Sequence, residues 1–214
     1  MKVKEQGLSE DEVNARANEK AKKRKEVRDR MLATKTIEKG LLIVHTGKGK
    51  GKSTAAFGLV MRAIGNGFRI GIVQFVKGKW QTGERPVLEK FPDQVTIKAM
   101  GEGFTWDTQD RARDIAAAKA AWAEAKRMIE ACRTDPPAYD MLVFDELNIV
   151  LRYDYLDLAD VVDTLRRRPP MLHIVVTGRN AKPELIEAAD LVTEMTEIKH
   201  PFQAGVKAQK GIEF

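Results

Sequence analysis

Residues 41–58 read LLIVHTGKGKGKSTAAFG, and this stretch decides the fold. Its first six residues have the apolar, partly β-branched character of a buried strand, and residues 52–64 follow as a helix. The loop between the two is built from alternating glycine and lysine. We therefore expect an α/β fold that begins with a strand, a glycine-rich turn and a helix.

The rest of the chain repeats this alternation of short apolar runs and helical stretches, which is typical of parallel strands joined by crossover helices. The run MLVFD is apolar almost throughout and should be a central strand covered on both faces. We expect a P-loop (RecA-like), mostly parallel central sheet of about six strands flanked by helices. The predicted strands cover residues 41–46, 69–76, 95–99, 141–145, 172–177 and 191–197, and the predicted helices cover residues 52–64, 108–132, 156–168 and 183–189.

The N-terminus differs from the remainder in composition. Residues 1–38 are charged and have few apolar positions, so we expect an arm that is helical or disordered, followed by one α/β domain over residues 39–214. The net charge is +6, and residues 1–39 hold 12 Lys and Arg against 8 Asp and Glu. The body is therefore nearly neutral, which argues against a nucleic-acid-binding face.

Membrane, disulfide and resident-metal classes are not indicated either. No apolar run approaches the roughly 20 residues of a membrane span, and we expect a cytoplasmic protein without membrane contact. The single cysteine, Cys132, cannot form an internal disulfide. The three histidines are scattered along the chain, with no metal-ligand spacing.

The glycine-lysine loop has the features of a phosphate-binding turn. Glycines allow backbone N–H groups to face phosphate oxygens, Lys52 can reach a phosphate, and Ser53 can offer a hydroxyl to Mg²⁺. The usual spacing would place the first glycine at position 46, which is Thr46, so the loop is one residue tighter than in ordinary ATPases. We predict that the nucleotide contacts come from Thr46, Gly47, Lys48, Gly49, Lys50, Gly51, Lys52 and Ser53.

Two acids and an arginine should join this loop at the carboxyl edge of the sheet. Asp145 and Glu146 end the MLVFD strand, where P-loop proteins place a magnesium-binding acid, although an acidic helix cap or a surface turn is the alternative. The sequence does not distinguish which of the two is the closer metal ligand. Arg179 is a candidate anion clamp, with a plain surface arginine as the alternative, and Gln74 and Lys77 fall on the same edge.

Six segments together resemble the ATP:corrinoid adenosyltransferases of the bacterial cobalamin pathway. The resemblance runs in order from about residue 40 to the C-terminus and includes the shortened phosphate loop. The segments are TGKGKGKSTAAFG, VQFVKG, GEGFTWDTQD, VFDELN, VVTGRN and IKHPFQAGVKAQKGIEF.

This resemblance implies a chemistry and a set of partners. ATP would lie with its triphosphate reversed, so that Co(I) of a corrinoid attacks the 5′ carbon, with Lys52 and Glu146 as the catalytic residues and Mg²⁺ or Mn²⁺ held by Ser53, Glu146 and Asp145. Phe104 and Trp106 would press on the corrin ring. The family further implies a homodimer and an electron donor such as a reduced flavin or flavodoxin. The acceptor, whether cobalamin, cobinamide or cob(I)yrinic acid a,c-diamide, stays open.

Two other functions compete with this interpretation. One is a P-loop motor or recombinase-like ATPase in which Glu146 activates water and the products are ADP and phosphate. The other is a nucleotide-binding module without turnover. The neutral body, the short loop and the GFTW segment at residues 103–106 argue against the first.

Overall fold

The computed structural model describes residues 9–76, 83–100 and 110–212. The chain divides into two compact units, Met1–Glu38 and Lys39–Phe214. Within the described residues, no helix combines the length and the apolar character needed to span a membrane.

The described part of the first unit contains one long helix, α1 (Glu10–Ala33). It begins with a capping box, in which the Ser9 hydroxyl accepts from the Glu12 N–H and the Glu12 carboxylate accepts from the Ser9 N–H, at 3.3 and 2.8 Å. None of its residues is buried. Capping and surface ion pairs such as Glu19–Lys23 therefore support it, rather than a core of its own. Of the two alternatives for the arm, a helix is found at these residues.

The second unit is built on a parallel sheet of six strands among the described residues. The strands are β1 (Leu42–Thr46), β2 (Ile70–Gln74), β3 (Val95–Ala99), β4 (Met141–Asp145), β5 (His173–Thr177) and β6 (Leu191–Glu194). Their order is β3-β2-β4-β5-β1-β6, and each paired neighbour runs parallel. The predicted sheet and the central position of MLVFD are confirmed.

Helices cover both faces because side chains alternate along each strand. On one face Ile43 of β1 packs with the apolar stripe of α2, and on the other face Leu42 and Val44 pack with the remaining large helices. Among the described residues of this unit, the helices are α2 (Lys52–Gly65), α3 (Glu84–Leu88), α4 (Arg111–Ala131), α5 (Leu147–Arg152), α6 (Leu158–Arg166) and α7 (Pro183–Ala188), and a 3-10 turn follows at Pro201–Ala204.

Several predicted strands and helices were longer than the observed ones. The strand predicted at 69–76 covers Ile70–Gln74, and that predicted at 191–197 ends at Glu194. The helix predicted at 156–168 starts at Leu158, because the Asp157 side chain caps it by accepting from the Ala159 N–H. The short helices α3 and α5 were not predicted, since five or six residues carry too little periodicity to detect.

Buried polar side chains concentrate at one edge of the sheet. Strands β1, β2, β4 and β5 end in Thr46, Gln74, Asp145 and Thr177, each at most 6% exposed. His45 and Asn148, next to these positions, are also buried. Burial of polar groups is unfavourable unless they are hydrogen-bonded, so their collection at the carboxyl edge marks the part of the fold where a ligand site is expected.

Candidate active site

The glycine-rich loop between β1 and α2 depends on the absence of side chains. Gly47 and Gly51 have φ values of 97° and 103°, in the left-handed region that glycine adopts readily. A Cβ on Gly47 would lie 2.3 Å from the Met195 carbonyl oxygen, and one on Gly49 would lie 2.7 Å from the Thr196 carbonyl oxygen. The loop can therefore approach the backbone that follows β6 only if these positions are glycine.

Backbone hydrogen bonds fasten the loop to its neighbours. The Met195 N–H donates to the Thr46 carbonyl at 2.9 Å, and the Gly49 N–H donates to the Met195 carbonyl at 2.7 Å. The Thr46 hydroxyl accepts from the Ala181 N–H at 2.9 Å and so holds the segment after β5. Thr46, predicted as a nucleotide contact, thus also joins three parts of the carboxyl edge.

Lys52 lies where charges of both signs meet. Its ammonium donates to the Gly49 carbonyl within the loop. Burial lowers the pKa of Lys52 below its ordinary value, the positive charges of Arg179 and Lys50 lower it further, and the negative charge of Glu146 opposes them. The interactions indicate that Lys50, Lys52, Glu146 and Arg179 share one electrostatic environment.

Three cations of the loop and its surroundings lie at the surface. Lys48, Lys50 and Arg179 are exposed. Arg179 follows Gly178, whose φ is 129° and whose N–H donates to the His45 carbonyl at 3.2 Å. The Asn148 amide donates to the Gly178 carbonyl at 3.1 Å, so the turn that carries Arg179 is tied to α5. Exposed cations beside a buried polar cluster suit a polyanionic ligand.

Asp145 is the centre of the buried cluster. One carboxylate oxygen, Oδ1, accepts from the hydroxyls of Ser53 and Thr177, both at 2.7 Å. The other, Oδ2, accepts from the Gln74 amide at 3.3 Å. Three secondary-structure elements besides β4 therefore orient this carboxylate, which is 1% exposed.

Glu146 adopts an unusual backbone conformation at the start of α5. Its φ is 65°, in the left-handed region that is uncommon for a residue with a Cβ. Its N–H donates to the Thr177 hydroxyl at 2.9 Å. The two consecutive acids are thus held by the same threonine while their carboxylates have different neighbours, Ser53 for Asp145 and the charge of Lys52 for Glu146.

The site offers oxygen donors to a cation. Among the described residues, no group of three or more His, Cys, Asp and Glu side chains could hold a metal ion. A hydroxyl and a carboxylate do meet, at Ser53 and Asp145. Such hard oxygen donors, completed by phosphate and water, are the ligands that Mg²⁺ takes in nucleotide sites.

Comparison with known proteins places this arrangement in a family. The family model of the ATP:corrinoid adenosyltransferases BtuR/CobO/CobP matches residues 38–214. A corrinoid adenosyltransferase of Sinorhizobium sp is 55% identical over 94% of this chain and 92% of its own length. One from Pseudomonas aeruginosa is 50% identical over 95% and 98%, and the corrinoid adenosyltransferase CobA of Salmonella typhimurium is 44% identical over 93% and 98%.

The chain belongs to the ATP:corrinoid adenosyltransferase family. The resemblance drawn from the sequence is confirmed, as is the expectation of a transferase rather than a motor ATPase or a module without turnover. The family-model match starts at residue 38 and does not include α1, whereas the alignment with the Sinorhizobium protein, over 94% of this chain, extends into that helix.

Some predicted site residues are brought together by the structure, and others lie outside the described residues. The structure brings Ser53 and Asp145 into contact, and brings Lys52 into the field of Glu146 and Arg179. Phe104 and Trp106, predicted to bind the corrinoid, lie outside the described residues, as does Lys77. For all of these positions, ligand contact stays a prediction.

The sequence interpretation missed two partners within the site. Gln74 was placed at the carboxyl edge and Thr177 ends the strand predicted at 172–177, but neither was recognised as a hydrogen-bond donor to Asp145. A polar residue at the end of each of several apolar strands was a signal for the shared edge, but the contacts with Asp145 depend on the strand order. The contact of Met195 with the loop was not predicted either. Its backbone carbonyl accepts from the Gly49 N–H, and a backbone contact of this kind does not depend on a recognisable side-chain motif.

Proposed function

We propose that residues 46–53 bind ATP through its triphosphate, and that the protein uses this complex to transfer the 5′-deoxyadenosyl group to the Co(I) centre of a corrinoid with release of triphosphate. The observation that carries the proposal is the convergence of the loop lysine Lys52 with Glu146 and Arg179, next to the Ser53–Asp145 pair, at the carboxyl edge of the sheet. Family membership supports the reaction.

A divalent cation fits the residues present. Ser53 Oγ and Asp145 Oδ1 are 2.7 Å apart, and Glu146 follows Asp145 directly. We assign Mg²⁺, or Mn²⁺, to Ser53, Asp145 and Glu146 together with phosphate oxygens. When bound, the ion neutralises part of the negative charge that develops on the departing triphosphate.

The cationic side chains have the complementary role. Lys52 would bind the phosphates from within the loop, Lys50 and Arg179 add positive charge around it, and Lys48 is a further exposed cation of the loop. The pKa of Lys52 is lowered by burial and by neighbouring cations, and a bound triphosphate reverses that balance by favouring the charged ammonium. The lysine thus stabilises the leaving group more as its charge grows.

The chemical step needs no protein base. A cobalt electron pair forms the Co–C5′ bond, the C5′–O bond breaks, and its electron pair leaves on the triphosphate oxygen. No proton is transferred, so Glu146 acts on the cation and on Lys52 instead of activating water. We assign to Phe104 and Trp106 the contact with the lower face of the corrin ring. Apolar side chains there supply no donor lone pair to cobalt, which favours four-coordinate and more easily reduced cobalt.

The homodimer, the cytoplasmic location and an electron donor such as a reduced flavin or flavodoxin belong to the same proposal and are supported by the family resemblance. The acceptor is a corrinoid.

Product analysis tests the reaction and the role of Lys52. The protein is incubated with ATP, Mg²⁺ and chemically reduced cobalamin, and triphosphate, ADP and the light-sensitive cobalt–carbon product are quantified. We expect equal amounts of triphosphate and alkylated cobalt. Lys52→Met should slow the transfer about 100-fold, in line with the loss of one preorganised charge at the leaving group.

The control for this variant is Lys90→Met, at an exposed lysine outside the loop, which should leave the rate unchanged. Formation of ADP and phosphate in place of triphosphate would contradict the proposal. So would a Lys52→Met protein as active as the Lys90→Met protein.

A further inference from the structure

Thr177 occupies the last position of β5 and is completely buried. Its hydroxyl donates to Asp145 Oδ1 at 2.7 Å and accepts from the Glu146 N–H at 2.9 Å. One hydroxyl group, with its one proton and its lone pairs, therefore serves both members of the acidic pair at the end of β4.

The two hydrogen bonds restrain different parts of the acidic pair, the side chain of Asp145 and the backbone of Glu146. The bond to Asp145 fixes the orientation of a carboxylate oxygen that also accepts from Ser53. The bond from Glu146 satisfies a partly buried amide at a residue whose φ of 65° requires support from its surroundings. Without the hydroxyl, Asp145 can rotate away from Ser53 and the backbone of Glu146 can relax.

The placement of Thr177 follows from strand order. β4 and β5 are parallel neighbours, with Phe144 paired to Val176, so Asp145 and Thr177 are the next residues of adjacent strands. The hydroxyl of Thr177 donates to one member of the acidic pair and accepts from the other. We therefore expect its effect on the reaction to pass through Asp145 and Glu146.

We propose that Thr177 is a positioning residue for the reaction, and that its hydroxyl sets the acidic pair in the arrangement that binds the divalent cation of the nucleotide complex. This inference rests on the proposed function, because it presumes the cation at Ser53, Asp145 and Glu146. Residues that orient metal ligands typically contribute about 10–100-fold in metal affinity or activity.

Metal-dependent ATP binding provides the test. ATP is titrated calorimetrically into the full-length protein at a series of MgCl₂ concentrations and in EDTA. Thr177→Val keeps the shape of the side chain and removes the hydroxyl, Thr177→Ala removes it with a different change of volume, and Thr177→Ser retains it. Thr96→Val, at a partly buried threonine of β3, is the matched control, and Ser53→Ala tests the cation site itself.

We expect Thr177→Val and Thr177→Ala to require about 10–100-fold more Mg²⁺ for half-maximal ATP binding, with affinity in EDTA unchanged. Thr177→Ser and Thr96→Val should match the wild type. If Thr177→Val does not fold, as judged by its melting curve, Thr177→Ala decides. In transfer assays, saturating Mg²⁺ should restore most of the lost rate.

Two results overturn the inference while leaving the proposed function intact. One is a normal Mg²⁺ requirement in Thr177→Val and Thr177→Ala together with an impaired Ser53→Ala. The other is an equal impairment of Thr177→Ser, which would show that the hydroxyl is not the group that matters. If wild-type ATP affinity is the same in MgCl₂ and EDTA, the proposed cation site is wrong and the inference is overturned with it.

Discussion

At the scale of single residues, the loop combines groups that repel one another in the free protein. Lys52 is partly buried and lies in the positive field of Lys50 and Arg179, which lowers its pKa. An arrangement that disfavours a charge in the absence of ligand favours a ligand of opposite charge. The same residues that make the free site electrostatically unfavourable are the ones expected to hold triphosphate.

A glycine substitution tests the geometry of the loop. We expect Gly47→Ala to destabilise the protein by about 1–3 kcal/mol, because φ is in the left-handed region and the new Cβ would overlap the Met195 carbonyl. ATP affinity should fall as well. Denaturant unfolding measures the first effect and titration calorimetry the second.

The matched control is Gly58→Ala in α2, where an added Cβ meets nothing within 4 Å. Since alanine is a better helix former than glycine, this variant should be stabilised by about 0.5–1 kcal/mol. A Gly47→Ala protein as stable as the wild type would show that the loop is not pressed against Met195 in solution.

At the scale of elements, the strand, loop and helix of residues 41–65 act as one unit. The Nδ1 atom of His45, near the end of β1, lies 3.3 Å from the Lys52 carbonyl oxygen at the start of α2. This contact joins the two ends of the loop. The sequence predicted this unit with nearly correct ends, since strand periodicity, glycine and Gly-Lys-Ser all agree. The sequence did not predict α5, because its six residues are too few to show an amphipathic period.

His45 gives this unit a pH dependence. Burial lowers the pKa of His45 below its ordinary value of 6.5, an effect larger than the opposing hydrogen bond to the Lys52 carbonyl. Below pH 6.5 the unfolded chain takes up a proton at this position before the folded protein does, so stability is lost as pH falls from 6.5 toward the lowered pKa.

The measurement is a comparison of melting temperature between pH 7.5 and 5.0 for the wild type and His45→Asn. We expect the wild type to lose more stability than the variant over this interval. His173 also has a lowered pKa and stays in both proteins, so its contribution cancels in the difference. Parallel losses in the two proteins would exclude His45 as a source of the pH dependence.

At the scale of the whole molecule, the site is assembled from strands that are distant in sequence. The adjacent order β2-β4-β5-β1 brings Gln74, Asp145, Thr177 and Thr46 to one edge. The sequence predicted that edge, because parallel strands present their carboxyl ends together. It could not predict that Thr177 contacts Asp145, since this requires the strand order, or that Met195 receives the Gly49 N–H, since this depends on the path of the chain after β6.

Which atom of ATP is attacked depends on how the whole nucleotide lies across the carboxyl edge of the sheet. Many P-loop proteins combine a glycine-rich loop, a lysine and a strand-terminal acid for attack at phosphorus, so the residues alone do not fix which atom of ATP reacts. Adenosyl transfer requires that the loop hold ATP with its 5′ carbon, and not its γ-phosphorus, open to attack. That requirement concerns the direction in which ATP lies across the edge of the sheet.

The most direct measurement is a crystal structure of the protein with Mg²⁺ and a non-reactive ATP analogue. We expect the triphosphate to lie along residues 47–53 and the ribose 5′ carbon to be open on the side where the corrinoid would approach. A γ-phosphate aligned for attack by water near Glu146, with the 5′ carbon enclosed by protein, would contradict this expectation.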